Sequence, residues 1–146
     1  MIKRGVVVEL SKSHRSYFKA AKAISGLSQF KQHRIGVVAV YRHKIISSGY
    51  NSYVTSPLQK KYNRFRFDTD ETLHTKHAEL QCLLPLMNRH DIDFGRVSLY
   101  IYREHKSHEP ACARPCDSCF ALIKELGIRN IYYSNDGGFS HEEIIY

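Results

Sequence analysis

The chain has 146 residues, which is the size of one domain with one hydrophobic core. Hydrophobic residues make up 42% and charged residues 25%, which excludes disorder, collagen and a coiled coil as descriptions of the whole chain. No apolar run reaches the roughly 18 residues of a membrane helix, and the run 6–8 is too short for the core of a signal peptide. We therefore expect a cytoplasmic protein that does not associate with membranes.

The net charge is +8, from 22 Lys and Arg against 14 Asp and Glu. This balance favours an anionic ligand such as a phosphate, a nucleotide or a nucleic acid. The alternative is a basic surface without a function, because net charge alone does not specify a ligand. In an intracellular chain, four cysteines indicate metal binding or catalysis before disulfides.

The first half of the chain predicts one helix and one hairpin. The helix is predicted over 14–29, where Ser13 can cap it and apolar residues recur at helical spacing. Strands over 35–41 and 44–50, joined by a tight turn, predict the hairpin. Residues 51–73 are polar and have no period, so we interpret them as a long loop of the kind that is usually functional.

The second half predicts two further helices with a strand between them. The helix over 75–90 contains Pro85, which kinks it or ends it early. A strand over 96–102 and a loop over 103–115 follow, and the next helix is predicted over 117–126.

The chain then predicts two strands joined by a glycine-rich turn. After Gly127, a helix-ending residue, a strand is predicted over 128–134. The following Asp-Gly-Gly turn predicts that 139–146 folds back as an antiparallel strand, with a short helix through Glu142 as the alternative. The order of elements predicts an α/β protein with a mixed five-stranded sheet.

Two short segments carry residues typical of a catalytic zinc site. His77 precedes Glu79 by two residues near the start of one predicted helix, and Cys116 and Cys119 lie at the start of the next. One imidazole and two thiolates are natural zinc ligands, and three protein ligands leave a fourth position for water. Helix N-termini favour thiolates, and a carboxylate near the open position can move protons.

The other two cysteines are interpreted differently. Cys82 lies five residues after His77, so on a helix it faces elsewhere, and we expect it in the core. Cys112 lies in a predicted loop, where it is either a plain loop thiol or has a redox or accessory role.

Together, H-x-E and P-C-x-x-C form the zinc deaminase signature, and the chain resembles the cytidine and deoxycytidylate deaminase superfamily. The segments 47–51 and 119–129 also resemble that family, so the resemblance covers about residues 35–134. It implies a three-layer fold with helices on both faces of the sheet, and a single zinc-dependent deaminase domain over 1–146.

The resemblance also implies the roles of individual residues. Zn²⁺ would be held by His77, Cys116 and Cys119, with Glu79 as the proton shuttle. The substrate would meet the backbone N–H of Ala78 and the side chain of Asn51. The reaction would replace the amino group of cytosine or adenine by oxygen and release ammonia.

Basic residues near both motifs predict contact with a substrate phosphate. Arg64 and Arg66, with Lys60 and Lys61, alternate with aromatic residues in the predicted long loop, and Arg114 lies beside the second motif. The alternative is a solvated loop whose aromatic side chains pack inward.

Three functions stay open at this point. The first is a deaminase of a cytosine nucleotide or nucleoside, deoxycytidylate-like by preference and homo-oligomeric, which the small size favours. The second is a deaminase of a base within single-stranded DNA or RNA, including tRNA, which the basic charge favours. The third is a catalytically inactive, zinc-stabilised nucleic-acid-binding module, and Glu79 counts against it because a structural site needs no shuttle.

Features of the family branches point in two directions. The histidine at position 77 resembles the deoxycytidylate, tRNA adenosine and polynucleotide cytosine deaminases. An antiparallel final strand resembles instead the free-cytidine branch and some toxin-like nucleic-acid deaminases. Arg114 departs from the small residue expected before Pro115 in the deoxycytidylate group.

Overall fold

One mixed β-sheet organises the chain. The computed structural model describes residues 2–7, 10–30, 32–54, 57–63, 77–105, 107, 109–136 and 138–146. Within these ranges the sheet has seven strands: β1 (Ile2–Val7), β2 (Arg34–Tyr41), β3 (Lys44–Tyr50), β4 (Ser98–Glu104), β5 (Pro110–Ala111), β6 (Asn130–Asn135) and β7 (Gly138–Ile144). Their order is β1-β7-β6-β4-β2-β3, with β5 paired to β4. The β4–β6 pair is parallel, and the other pairs are antiparallel.

All five predicted strands are present, and β1 and β5 extend the sheet beyond them. The antiparallel pairing of β7 with β6 is confirmed, and the alternative of a C-terminal helix is wrong. The tight turn between β2 and β3 has positive φ angles at Arg42 (51°) and His43 (63°), as the twist of a two-residue hairpin requires. β1 was not predicted because its apolar run is short, and β5 because two residues carry no period.

Four α-helices accompany the sheet in the described ranges: α1 (Lys12–Ser25), α2 (Pro57–Asn63), α3 (Ala78–Leu83) and α4 (Asp117–Leu126). α1 begins earlier than predicted because Ser11, not Ser13, accepts the capping hydrogen bond from the His14 N–H. α3 passes into a 3₁₀ turn at Leu84–Leu86, which confirms the early end at Pro85. None of these helices is long and apolar enough to cross a membrane.

α2 corrects the interpretation of 51–73 as a loop without structure. Its seven residues begin with Pro57, whose missing N–H costs nothing in the first turn of a helix. Leu58 and Tyr62 lie four residues apart and pack against the core, with Tyr62 fully buried. Two apolar positions are too few to reveal a helical period in the sequence.

Helices cover both faces of the sheet, which confirms the predicted three-layer arrangement. Alternate residues of a strand point to opposite faces. Val38 and Tyr100 pack with Phe18 of α1 on one face. Val37 and Leu99 face the other way, into the larger core that contains the buried side chains of α3 and α4.

Two glycines allow helices to lie directly on strands. A Cβ at Gly36 of β2 would lie 2.5 Å from the Ser25 nitrogen of α1. A Cβ at Gly49 of β3 would lie 2.5 Å from the Cys82 nitrogen of α3. The second contact brings the helix that follows His77 against the end of β3.

Candidate zinc centre

The three predicted ligands lie at the N-terminal ends of two helices. His77 is the N-cap of α3, Cys116 is the N-cap of α4, and Cys119 lies in the first turn of α4. Neither N-cap side chain accepts a capping hydrogen bond. The positive ends of both helix dipoles therefore point toward these side chains and favour negatively charged sulfur.

The distances within this group fit a zinc ion. The His77 Nδ1 atom lies 3.3 Å from the Cys119 Sγ atom and 3.6 Å from the Cys116 Sγ atom. All three ligand atoms lie within 4.8 Å of one another. With zinc–nitrogen and zinc–sulfur bonds of ~2.0 and ~2.3 Å, tetrahedral ligands lie about 3.6 Å apart. The donor set and its spacing are therefore compatible with one zinc ion and an open fourth position.

The side chains of Cys116 and Cys119 are hydrogen-bonded to each other. A hydrogen bond from Cys119 lowers the pKa of Cys116 to about 3, with His77 and Ser118 adding to the effect. The pKa of Cys119 is raised well above its ordinary value, first by this hydrogen bond and then by burial. These shifts favour the thiolate form of Cys116, and a metal ligand at Cys119 would have to lose its proton.

Glu79 lies beside this group without belonging to it. Its carboxyl group is buried, with only 5% of the residue exposed, and it hydrogen-bonds with Cys119. Burial raises the pKa of Glu79, and the nearby His77 opposes that shift. A buried carboxyl group with a raised pKa next to a metal site can both accept and donate a proton.

Gln59 supports the position of His77 and was missed in the sequence. Its side chain is 2% exposed, and its Oε1 atom accepts the His77 backbone N–H at 3.1 Å. The Tyr62 hydroxyl donates to Glu125 at 2.8 Å, which ties α2 to α4. The signal that could have found them is the Pro57 helix start followed by Leu58 and Tyr62 at helical spacing.

Asn51 and Ala78 take different positions around the site. The Asn51 side chain is buried and makes internal hydrogen bonds, accepting from Ser28 at 2.6 Å and from the Ile35 N–H at 3.0 Å. It also donates to the His33 carbonyl at 2.6 Å. Ala78 is the first residue of α3, so its N–H belongs to the group without partners inside the helix.

Arg114 is held by an internal ion pair. Its guanidinium donates to both carboxylate oxygens of Glu142 in β7, at 2.9 and 3.2 Å. The Glu142 side chain is 0% exposed and that of Arg114 is 35% exposed. The guanidinium also lies 4.5 Å from the centre of the Phe120 ring. This arrangement ties the segment before Cys116 to β7, and the phosphate contact of Arg114 stays a prediction.

The remaining residues named in the sequence analysis are four basic residues and two cysteines. Arg64 and Arg66 lie outside the described residues. Lys60 and Lys61 are exposed on α2. Cys82 is fully buried in the core, as predicted, and burial raises its pKa to about 12, whereas Cys112 is exposed.

The fold and the site together define an α/β protein with a candidate catalytic zinc centre at two helix N-termini. Residues 11–135 match the family described as the cytidine and deoxycytidylate deaminase zinc-binding region, and the chain belongs to this family. No curated protein is significantly similar to the chain in sequence.

Solved structures agree with this assignment at the level of the fold. The dCMP deaminase of cyanophage S-TIM5 is 21% identical, with a TM-score of 0.61 over 87% of this chain and 86% of that chain. A second structure of that enzyme, in complex with dCMP and dUMP, is 19% identical, with a TM-score of 0.58 over 86% and 83%. The cytidine deaminase of Burkholderia pseudomallei is 17% identical, with a TM-score of 0.59 over 88% and 90%.

Proposed function

We propose that this chain is a single zinc-dependent deaminase domain that converts a cytosine nucleotide or nucleoside to the uracil form and releases ammonia. The observation that carries the proposal is the buried Glu79 carboxyl group, hydrogen-bonded to Cys119 beside the group formed by His77, Cys116 and Cys119. A structural zinc site has no need for a buried carboxyl group at its side, because burying one is costly.

His77, Cys116 and Cys119 would hold the zinc ion, which acts as a Lewis acid that activates water at neutral pH. Glu79 takes a proton from the attacking water and delivers it to the ring nitrogen of the base. It then passes a second proton to the departing amine, so that water and cytosine give uracil and ammonia. The Ala78 N–H, at the positive end of α3, would orient the base.

A nucleotide, with deoxycytidylate as the first candidate, is the substrate that we favour. The similar cyanophage enzyme was solved with dCMP and dUMP. The net charge of +8 on this chain favours a substrate that carries phosphate. The homo-oligomer, the cytoplasmic location and the contacts of Asn51, Arg64, Arg66 and Arg114 with substrate stay predictions.

A second candidate function is deamination of a base within a nucleic-acid strand. The antiparallel pairing of β7 with β6 is consistent with it, because this feature resembles the toxin-like nucleic-acid deaminases as well as the free-cytidine branch. The histidine at position 77 is shared with the polynucleotide deaminases. A protein that binds a nucleic-acid strand contacts several of its phosphates, which agrees with the net positive charge of this chain.

A substrate panel tests the proposal. Zinc-loaded protein is incubated with dCMP, CMP, deoxycytidine, cytidine, a cytosine-containing oligonucleotide and tRNA, and ammonia and product are measured. We expect turnover of dCMP with a higher kcat/KM than that of deoxycytidine. Turnover of the oligonucleotide or tRNA alone would select the second candidate. Folded, zinc-loaded protein that releases no ammonia from any of them would contradict both.

A further inference from the structure

Arg103 occupies an unusual position for an arginine. It is the next-to-last residue of β4 and follows Leu99 and Ile101 at two-residue steps, so it projects from the face of the sheet that α3 and α4 cover. The side chain is half-buried. It therefore lies on the same face of the sheet as the candidate zinc centre, where β4 leaves toward the cysteines.

The contacts of Arg103 connect the two segments that border the site. Its Nη1 atom donates to the Cys112 carbonyl at 3.5 Å, in the segment that leads to Cys116. Its Nη2 atom lies 2.6 Å from the His33 Nδ1 atom, and the His33 carbonyl accepts from Asn51. Asn51 follows directly on β3, whose Gly49 packs against α3. The guanidinium is thus placed between the cysteine segment and the end of β3.

The Arg103 guanidinium has no anionic partner among the described residues. Arg114 pairs with Glu142 and Arg89 pairs with Asp91, whereas Arg34, like Arg103, has a buried Nε atom without a hydrogen bond to the described residues. The Arg103 Nε atom is buried and makes no hydrogen bond to the part of the chain that the structure describes. Buried N–H groups are nearly always satisfied by protein, water or a bound group, so the Arg103 guanidinium keeps capacity for a further acceptor.

We propose that Arg103 is an anion-recognition residue beside the candidate zinc centre and binds the phosphate of a nucleotide substrate. The inference rests on the proposed function and adds the residue that selects for phosphate. A guanidinium offers its planar set of donors to two phosphate oxygens at once, and the two Nη atoms of Arg103 face Cys112 and the exposed His33. The exposed His33 ring is the group that an incoming phosphate displaces from the Nη2 atom.

Steady-state kinetics of Arg103→Gln test the assignment. We expect kcat/KM for dCMP to fall about 10- to 100-fold, as for loss of a charged hydrogen bond, while kcat/KM for deoxycytidine changes less than about threefold. The matched control is Arg42→Gln, an exposed arginine in the β2–β3 turn, which should leave both values unchanged. The ratio of kcat/KM for dCMP to kcat/KM for deoxycytidine could instead be the same in Arg103→Gln as in the wild type. If the wild type turns over both substrates, that result would overturn the role of Arg103 and leave the proposed function standing.

Product binding gives a readout that does not depend on turnover. Calorimetry with dUMP and deoxyuridine should show weaker binding of dUMP alone in Arg103→Gln, with Arg103→Lys between that variant and wild type. Equal affinity of wild type for both compounds would also overturn the inference. Binding of a cytosine oligonucleotide at several salt concentrations distinguishes the source of the phosphate. Each phosphate of a single strand that the protein contacts adds roughly 0.7 to the slope of log affinity against log salt concentration. Zinc content and circular dichroism confirm that each variant is folded.

Discussion

Cys116 and Cys119 carry the chemistry that prepares the site for a metal. Hydrogen bonds from Cys119 and His77 lower the pKa of Cys116 to about 3, whereas the hydrogen bond to Cys116 and burial raise the pKa of Cys119. Zinc binding must then displace the proton of Cys119, so the affinity for zinc should fall as the pH falls.

Replacing Cys116 by Ala should abolish zinc binding, because two protein ligands hold zinc much more weakly than three. The matched control is Cys112→Ala, which removes an exposed thiol four residues earlier. Elemental analysis after gentle purification should find about one zinc ion per chain in the wild type and in the control. Full zinc content in Cys116→Ala, or none in the wild type, would show that the ligand assignment is wrong.

For single residues, the sequence was sufficient to predict that His77, Cys116 and Cys119 lie together, because each lies at a helix start that local residues define. The ion pair of Arg114 could not be predicted, because its partner, Glu142, lies 28 residues away in a strand that only the folded sheet brings near. Such pairings have no local signal.

At the scale of elements, β7 is joined by an ion pair to the segment that precedes Cys116. The Arg114–Glu142 pair joins them, and the carboxylate is fully buried. Removing one partner of a buried ion pair leaves an uncompensated charge.

Glu142→Gln should therefore lower the free energy of unfolding by about 2–3 kcal/mol, below the usual cost for a buried pair because Arg114 is 35% exposed. Urea unfolding of the zinc-loaded protein measures the change. Arg114→Met combined with Glu142→Leu should recover part of it, since no unpaired charge remains. A loss under about 0.5 kcal/mol in Glu142→Gln would mean that the pair does not hold the segment.

Close packing of α3 on β3 leads to a second prediction at the level of elements. Gly49→Ala places a Cβ 2.5 Å from the Cys82 nitrogen, so α3 must shift together with His77 at its start. We expect a loss of about 1–3 kcal/mol in stability and weaker zinc binding.

Gly36→Ala is the control for that experiment. Its Cβ meets α1 on the opposite face of the sheet, 2.5 Å from the Ser25 nitrogen. This variant should lose stability and keep its affinity for zinc, which a competition assay with a chromogenic chelator measures. Equal zinc affinity in both variants would contradict the idea that the Gly49 contact positions His77.

Elements with a clear hydrophobic periodicity or capping residue could be predicted from the sequence, and short elements could not. α4 ends at Gly127 with φ 86°, and both its bounds were predicted because the capping residue is unambiguous. α2 escaped prediction because it has seven residues, and the buried Gln59 carries no apolar signal. Its role, which is to hold His77 through Gln59, depends on tertiary contact alone.

At the scale of the whole molecule, the sheet separates an aromatic core cluster on one face from the candidate zinc centre on the other. α1 covers one face with an aromatic cluster around Phe18 and Tyr100. α2, α3 and α4 share the other face, where the candidate zinc centre lies. The order of strands and helices was predictable from hydrophobic periodicity, whereas the pairing of β1 with β7 depends on contacts between the two ends of the chain.

Turnover by Glu79→Gln is the most direct test of the proposal that this family member is an active deaminase. Glutamine preserves the shape of the buried side chain and cannot carry a proton, so folding and zinc content should match the wild type. We predict a fall in kcat of at least about 10²-fold on the best substrate of the panel, with Glu143→Gln as the control. Retention of more than about a tenth of the wild-type rate would contradict the account, because proton transfer would then depend on another group.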